Sequence, residues 1–386
     1  MSKKINSTKT ALVRVDYNVP IQNGQILDLK RIEASLPTIN YLTKKKTPII
    51  LISHLGRPQK ITSEYSLKIL IKPIERLLNK KVIFIKNPQK INIPTGHIGL
   101  LENLRFYPGE KQNDRVFCEE LSKLGDFYIN DAFSVSHREH ASISGVKDFF
   151  PNKIYQGLLL EAELHQLNIL KKDPKPPYTI IVGGSKIGSK IHMLETFLGI
   201  ADNILIGGGM AFPFIKYLGG EIGKSICQDS EIDIVKSFLH KAKHSRTKII
   251  FPLDFVVTKD LISKEQQKIV ESHEIPKELM GVDIGPKTIR LFNKYIISSQ
   301  SIMWNGPMGV SEISDFSRGT RSIAETIKAA TNLGTYSLIG GGDTASDISR
   351  FGFANSFSFI STGGGAMLEF FKNPNLIGFK KLKKLK

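Results

Sequence analysis

The sequence predicts an α/β protein built from doubly wound parallel sheets, one in each half of the chain. Three observations carry this. Short apolar runs alternate with segments of helical spacing along the whole chain. Four of those runs end in glycine clusters, as strands do where an open parallel sheet meets its ligand crevice. A stretch with three prolines, KKDPKPPY at 171–178, breaks the chain near its middle, and 386 residues are long for a single core.

Residues 10–15 read as a first strand that leads into Asp16, Tyr17 and Asn18. Ile32, Leu36, Ile39 and Leu42 give 31–44 helical spacing. PIILIS at 48–53 is a buried-type strand that runs at once into His54, Gly56 and Arg57. A helix is expected over 67–78 and strands over 82–85 and 98–101, the second leading to Glu102, Asn103 and Arg105. Residues 117–124 are helical, and 126–129 form a strand that leads to Asn130, Asp131 and, further on, His137 and Arg138. GLLLEAELHQLNIL at 157–170 is one long helix, with the domain boundary at the prolines after it. In the second half, strands are expected at 178–182, 203–206, 248–251, 301–304, 336–339 and 357–360, with helices between them.

The two halves differ in the residues at the C-terminal ends of their strands. In the second half these are glycines: IIVGGSK at 180–186, ILIGGGM at 204–210, IGGGDTASD at 339–347 and FISTGGGAM at 359–367. One such loop is no more than a turn or a helix cap. Four of the same form point to a polyanion site, where backbone N–H groups and a helix N-terminus meet phosphate and Asp343 can hold a bridging cation. In the first half the strand ends are basic. Arginine forks at successive strand ends suit a small anion that carries carboxylate and phosphate.

Composition narrows the class further. The 41% apolar and 23% charged fractions are ordinary for a globular protein. The net charge of +18 fits anionic ligands or a lysine-rich proteome equally, because the lysines are scattered. The exception is KKLKKLK at 380–386, read as a solvated end. Cys118 and Cys227 are far apart and outside any CxxC pair, which argues against a disulfide framework or a zinc site and fits a reducing, cytoplasmic setting. MSKKINSTKT lacks the apolar core of a signal peptide, and no apolar run approaches membrane-spanning length.

Two motifs carry no site of their own. GGEIGKS at 219–225 is close to a Walker A loop, but Leu218 stands where the first glycine belongs and a helical run precedes it, so it reads as a turn. HREH at 137–140 has i, i+3 spacing without further metal ligands nearby, which leaves His137 as a pocket residue and His140 unassigned.

VRVDYNVP (13–20), SHLGRP (53–58), LLENLRFYPGE (100–110), NDAFSVSHREHAS (130–142), GGSKIGSK (183–190), GGGMAF (207–212), DIGPKT (283–288), WNGPMGVSE (304–312), GGGDTA (340–345) and STGGGA (361–366) together resemble the phosphoglycerate kinase family, in order over essentially the whole chain. The resemblance implies two Rossmann-like lobes: an N-terminal glycerate-binding lobe (1–156), an interdomain helix (157–170), a nucleotide-binding lobe (171–356) and a C-terminal segment (357–386) that packs back on the first lobe. It implies reversible transfer of the acyl phosphate of 1,3-bisphosphoglycerate to ADP, giving 3-phosphoglycerate and ATP, by direct in-line transfer after hinge closure. The cofactor is Mg²⁺, bound with the nucleotide. The protein is expected to be a cytoplasmic monomer without a membrane or nucleic-acid partner in its main role.

The family's glycerate-binding residues fall on Asp16, Asn18, Arg31, His54, Arg57, Arg105 and Arg138. Its nucleotide residues fall on Lys186, Lys190, Gly207, Gly208, Asn305, Pro307, Glu312, Gly341, Gly342, Asp343 and Thr344, with Asp343 as the residue that engages Mg²⁺. Arg31, Lys186, Lys190 and the backbone at Gly364 are expected to hold the transferring phosphoryl, and Glu312 to accept from the ribose hydroxyls. The chain departs from the family at Asp28, Leu29 and Lys30, where an Asp-Asp-Thr run is usual, and at Gly188. Two other classes stay open on the residues alone. One is a kinase for a different small carboxylate, which the first-half basic residues would distinguish. The other is a basic nucleic-acid or surface binder, which would need clustered lysines among exposed aromatics.

Overall fold

A computed structural model describes residues 9–88, 93–185, 187–188, 190–263 and 267–385. Lys186 lies outside the described residues, so its expected role has no structural counterpart below. The chain divides into two compact units, residues 1–165 with 373–386, and residues 166–372.

The first unit is organised by strands that are apolar on both faces. Ala11–Arg14, Ile49–Ile52, Ile98–Leu101 and Phe127–Asn130 are buried at every position. That is the pattern of a parallel sheet covered on both sides. Successive side chains point to opposite faces. Ala11, Val13, Ile49 and Leu51 therefore enter one core, and Leu12, Ile50 and Ile52 the other. The sheet has seven strands. Its order is Lys383–Lys384, Ile154–Gln156, Phe127–Asn130, Ala11–Arg14, Ile49–Ile52, Ile98–Leu101 and Val82–Ile85, paired in parallel throughout. Strand order reverses between Ala11–Arg14 and Phe127–Asn130, which makes the crevice beyond their C-terminal ends the ligand position of this topology.

The second unit repeats the scheme. Its sheet runs Lys248–Ile250, Asn203–Ile206, Tyr178–Val182, Ser301–Asn305, Tyr336–Gly340 and Phe359–Ile360, again all parallel, with the reversal between Tyr178–Val182 and Ser301–Asn305. The alternation of strands and helices is thus as the sequence predicts, with these differences. The 67–78 segment is a 3₁₀ turn, Leu67–Leu70, before the helix Ile71–Leu78. Pro73 has no N–H to bond back to Ile69, so regular α-helix begins only at Ile71. A three-stranded antiparallel sheet, Lys268–Glu271, Asp254–Thr258 and Met280–Ile284, was not foreseen. Glu221–Ile222, inside the rejected Walker-like loop, is a short strand paired with Glu274–Ile275 rather than only a turn.

The tail is not a solvated end. Lys383–Lys384 pairs in parallel with Tyr155–Gln156. Leu385 enters one core of the first unit and Leu382 packs against the other, while the lysines between them face solvent. Gly378 is clasped on the way. Its N–H donates to the Ser136 carbonyl at 2.8 Å, and its carbonyl accepts from Asn130 Nδ2 at 3.1 Å. Lys147 Nζ donates to the Ile377 carbonyl at 2.6 Å. The segment at 357–372 lies with the second unit, where Phe359–Ile360 pairs with Tyr336–Gly340.

Candidate active site

In the first unit the strand reversal places Asp16, just past one central strand, opposite Ser134, just past its neighbour. Asp16 is buried, and its Oδ2 accepts from Arg31 Nη1 and from Ser134 Oγ. Its Oδ1 accepts from the Asn18 N–H at 3.1 Å and lies 3.9 Å from His54 Nδ1. Burial alone would raise the Asp16 carboxyl. Arg31, His54, Ser134 and Arg14 outweigh it and bring the group down to about 2, so it is a carboxylate at neutral pH.

Around this carboxylate stands an excess of positive charge. Arg14 is buried; its Nη2 lies 3.1 Å from His54 Nδ1 and its Nε donates to Ser142 Oγ at 2.9 Å. Arg105 donates to the Gly56 carbonyl, and the Gly56 N–H donates to Asn18 Oδ1 at 2.8 Å. Burial, then Arg138 and Arg14, lowers Arg105 to about 10. Burial, then Arg57, lowers Arg138. Burial is also the largest effect on the His54 imidazole, pushing it well below its ordinary value, with Arg14, Arg105 and Arg138 adding to it against the pull of Asp16. Cations that depress one another mark a pocket that stabilises an anion. All seven first-half residues expected from sequence share this neighbourhood, with Arg57 on its exposed side. Arg14 and Ser134 were missed. The arginine of VRVD, standing at the end of an otherwise apolar strand, was the available signal for the first.

In the second unit the reversal falls between Gly183 and Asn305. Lys190 Nζ bridges the two strand ends, donating to the Gly183 carbonyl at 2.5 Å and the Asn305 carbonyl at 3.3 Å. Burial lowers this lysine to about 8, against the pull of Asp343. Gly306 comes next at φ +99°, and a Cβ there would stand 2.3 Å from the Gly183 carbonyl oxygen. Gly208, at φ +61°, would meet Gly184 N at 2.7 Å. Glycine is required at both for the loops to approach this closely.

A cavity of about 870 Å³ opens beside these loops, and Gly208, Pro307, Glu312 and Asp343 line it. Asp343 is exposed in the first turn of the helix Gly342–Arg350. Asn305 is buried with its Nδ2 unpartnered; a Cβ on Gly341 would be 3.1 Å from that nitrogen. Gly207 packs against Met308, and Gly342 and Gly364 have open space where a side chain would stand. Thr344 is turned away from the cavity: its Oγ1 accepts from the Gly306 N–H at 2.8 Å and so braces the loop. The apolar side of the cavity, with Phe212, Ile226, Phe255 and Met280, was missed, because those residues come from segments scattered along the sequence. Phe212 and Phe255 pack at 4.9 Å between ring centroids.

Two doubly wound units, one ending in a basic pocket and the other in glycine loops beside a cavity, define an α/β phosphotransferase. The family model described as phosphoglycerate kinase matches residues 3–373. The chain belongs to the phosphoglycerate kinase family. It is 41% identical over 384 residues to a curated phosphoglycerate kinase of Borrelia garinii subsp. bavariensis, covering 97% of this chain and 96% of that one. It is 42% identical over 377 residues to that of Dictyoglomus turgidum, covering 96% and 94%. The solved phosphoglycerate kinase of Coxiella burnetii superposes with a TM-score of 0.84 at 34% identity, over 96% of this chain and 95% of that one. That of Pyrococcus horikoshii does so at 0.81 and 29%, over the same shares. The activity is the family's glycolytic phosphoryl transfer between 1,3-bisphosphoglycerate and ADP. The family works with ATP or ADP and Mg²⁺. Among the described residues no helix is long and apolar enough to cross a membrane.

Proposed function

We propose that the first unit holds the phosphoglycerate and the second the nucleotide, and that the phosphoryl passes in line between them after a hinge closure. The observation that carries this is the Lys190 ammonium, set at the strand reversal between two carbonyls and next to the glycine loops. Transfer needs positioning and charge neutralisation more than covalent help. Both acceptors, a carboxylate and an ADP phosphate, are anions at neutral pH, so no general base is required.

Arg57, Arg105 and Arg138, with Asp16, Asn18 and His54, bind and orient the glycerate. Arg31 from the first unit, with Lys190 and Lys186 from the second, neutralises the moving phosphoryl, and the backbone at Gly364 adds N–H groups. Gly207, Gly208, Asn305, Pro307, Gly341, Gly342 and Thr344 shape the phosphate and base pocket, and Glu312 accepts from the ribose hydroxyls.

Asp343 is the Mg²⁺ ligand of this reading. Among the described residues no three His, Cys, Asp or Glu side chains are grouped to hold an ion by themselves. The exposed Asp343 carboxylate on the cavity wall fits Mg²⁺, which takes one or two carboxylates together with phosphate oxygens and water. When bound, the ion neutralises the nucleotide phosphates. The remaining assignments are a monomer, which rests on the family resemblance alone, and a cytoplasmic setting, supported by two unpaired cysteines.

The test couples bisphosphoglycerate formation from 3-phosphoglycerate and MgATP to NADH oxidation, with Lys190→Ala as control. Activity in the wild type that the control loses supports both the reaction and the clamp. Equal activity in both removes Lys190 from the mechanism.

A further inference from the structure

Residues 307–312 and the helix Gly342–Arg350 both line the second unit's cavity, and the segment 305–312 is joined to that helix at two points. The first is the bond from the Gly306 N–H to Thr344 Oγ1. The second lies one turn along the helix, where Ser311 Oγ donates to Asp347 Oδ2 at 2.6 Å. Arg350 completes it, donating through Nη2 to Asp347 Oδ1 at 2.7 Å and to the Ser311 carbonyl. Thr344, Asp347 and Arg350 recur at i, i+3 and i+6, so one helix face serves the loop.

This second join is costly to build. Asp347 and Ser311 are buried, and the carboxylate lies in the field of two others, Glu312 and Asp343. The Arg350 side chain is exposed, and an ion pair with an exposed partner contributes little net stability. Its distinctive property is direction: it fixes Ser311 through both side chain and carbonyl. Glu312 is the next residue, exposed on the cavity rim.

We propose that Asp347 is a positioning residue for nucleotide-sugar selection. With Arg350 it locks Ser311, and thereby holds the Glu312 carboxylate in register with the ribose hydroxyls of a bound ribonucleotide. The inference rests on the reading above that the cavity takes ADP or ATP with its ribose at Glu312. Asp347 itself touches neither the phosphates nor the reacting atoms.

The experiment compares the affinity of the full chain for ADP and for 2′,3′-dideoxy-ADP by calorimetry, in wild type, Glu312→Gln, Asp347→Ala, Asp347→Asn and Ser311→Ala. The wild type should prefer ADP by about tenfold, the worth of one hydrogen bond to a charged acceptor. Glu312→Gln, Asp347→Ala and Ser311→Ala should lose most of that preference while still binding the dideoxy nucleotide as before. Asp347→Asn, which still accepts from Ser311, should keep part of it. Loss in Glu312→Gln with full preference in Asp347→Ala and Ser311→Ala overturns the inference and leaves the cavity reading intact. An equal loss of affinity for both nucleotides in Asp347→Ala also overturns it, as a general structural effect. Absence of any preference in the wild type overturns the ribose reading itself. If Asp347→Ala does not fold, Ser311→Ala decides alone.

Discussion

Arg31 engages Asp16 through a single guanidinium nitrogen and a single carboxylate oxygen, and its side chain keeps 31% of its surface exposed. The ion pair therefore aims the guanidinium without consuming it. Four other donors of the fork stay available to a second anion. Arg31→Ala should lower kcat by about a thousandfold, as removal of a transition-state arginine does in phosphoryl transfer. ADP affinity should not change, since Arg31 belongs to the other unit. Steady-state kinetics together with ADP titration check this, and an unaltered kcat would remove Arg31 from the reaction.

Asp16 also links stability to pH. Its folded value of about 2 lies below the ordinary 3.8, so its contribution is present above 3.8 and is lost as pH falls through about 2. Denaturant titrations of wild type and Asp16→Asn should show a constant gap in stability down to about pH 4, closing between about pH 4 and 2. A gap that persists unchanged at the acid end would contradict the depressed carboxyl.

Lys190 behaves in the opposite sense. Burial holds it at about 8, below the ordinary 10.5, so the unfolded chain binds more protons between those values. Stability from this group accordingly rises with pH across that window. Activity moves the other way, because only the charged amine neutralises phosphate. The kcat/KM for nucleotide should fall as pH rises through about 8, with the inflection belonging to the free enzyme. Lys190→Ala should be weakly active throughout and lack that inflection.

Gly306→Ala should damage both fold and site. A methyl group would stand 2.3 Å from the Gly183 carbonyl oxygen and 2.4 Å from Lys190 Nζ, at a φ of +99°. Strain of this kind costs about 1–3 kcal/mol, or several degrees in Tm for a unit of this size. Differential scanning calorimetry should show the drop, and the displaced Lys190 should lower kcat as well.

Much of this was visible in the sequence for a physical reason. Strands buried on both faces are continuous apolar runs, so PIILIS and the run before GGGDTASD announce themselves, and the ends of such strands are where sheets of this kind ordinarily take their ligands. The antiparallel strands Asp254–Thr258 and Met280–Ile284 did not, because their pairing depends on partners far along the chain. The same holds for the apolar wall of the cavity, where Phe212 and Phe255 become neighbours only in the folded unit. Arg14 was hidden by its own strand, and KKLKKLK concealed Leu382 and Leu385 among lysines.

The clasp around Gly378 has a consequence for synthesis on the ribosome. The first unit consists of residues 1–165 and 373–386, so its edge strand is made only after the second unit. Domains ordinarily complete in the order in which they are translated. Here all of 166–372 has been polymerised before the partner of Ile154–Gln156 exists. Until then that strand has an open edge, and the carbonyls of Ile377 and Gly378 are not yet present for Lys147 and Asn130. Residues 1–165 thus belong to a unit that can finish folding only after the whole of the second unit has been made, and a nascent chain stalled before Lys383 leaves an unpaired parallel edge exposed to its neighbours.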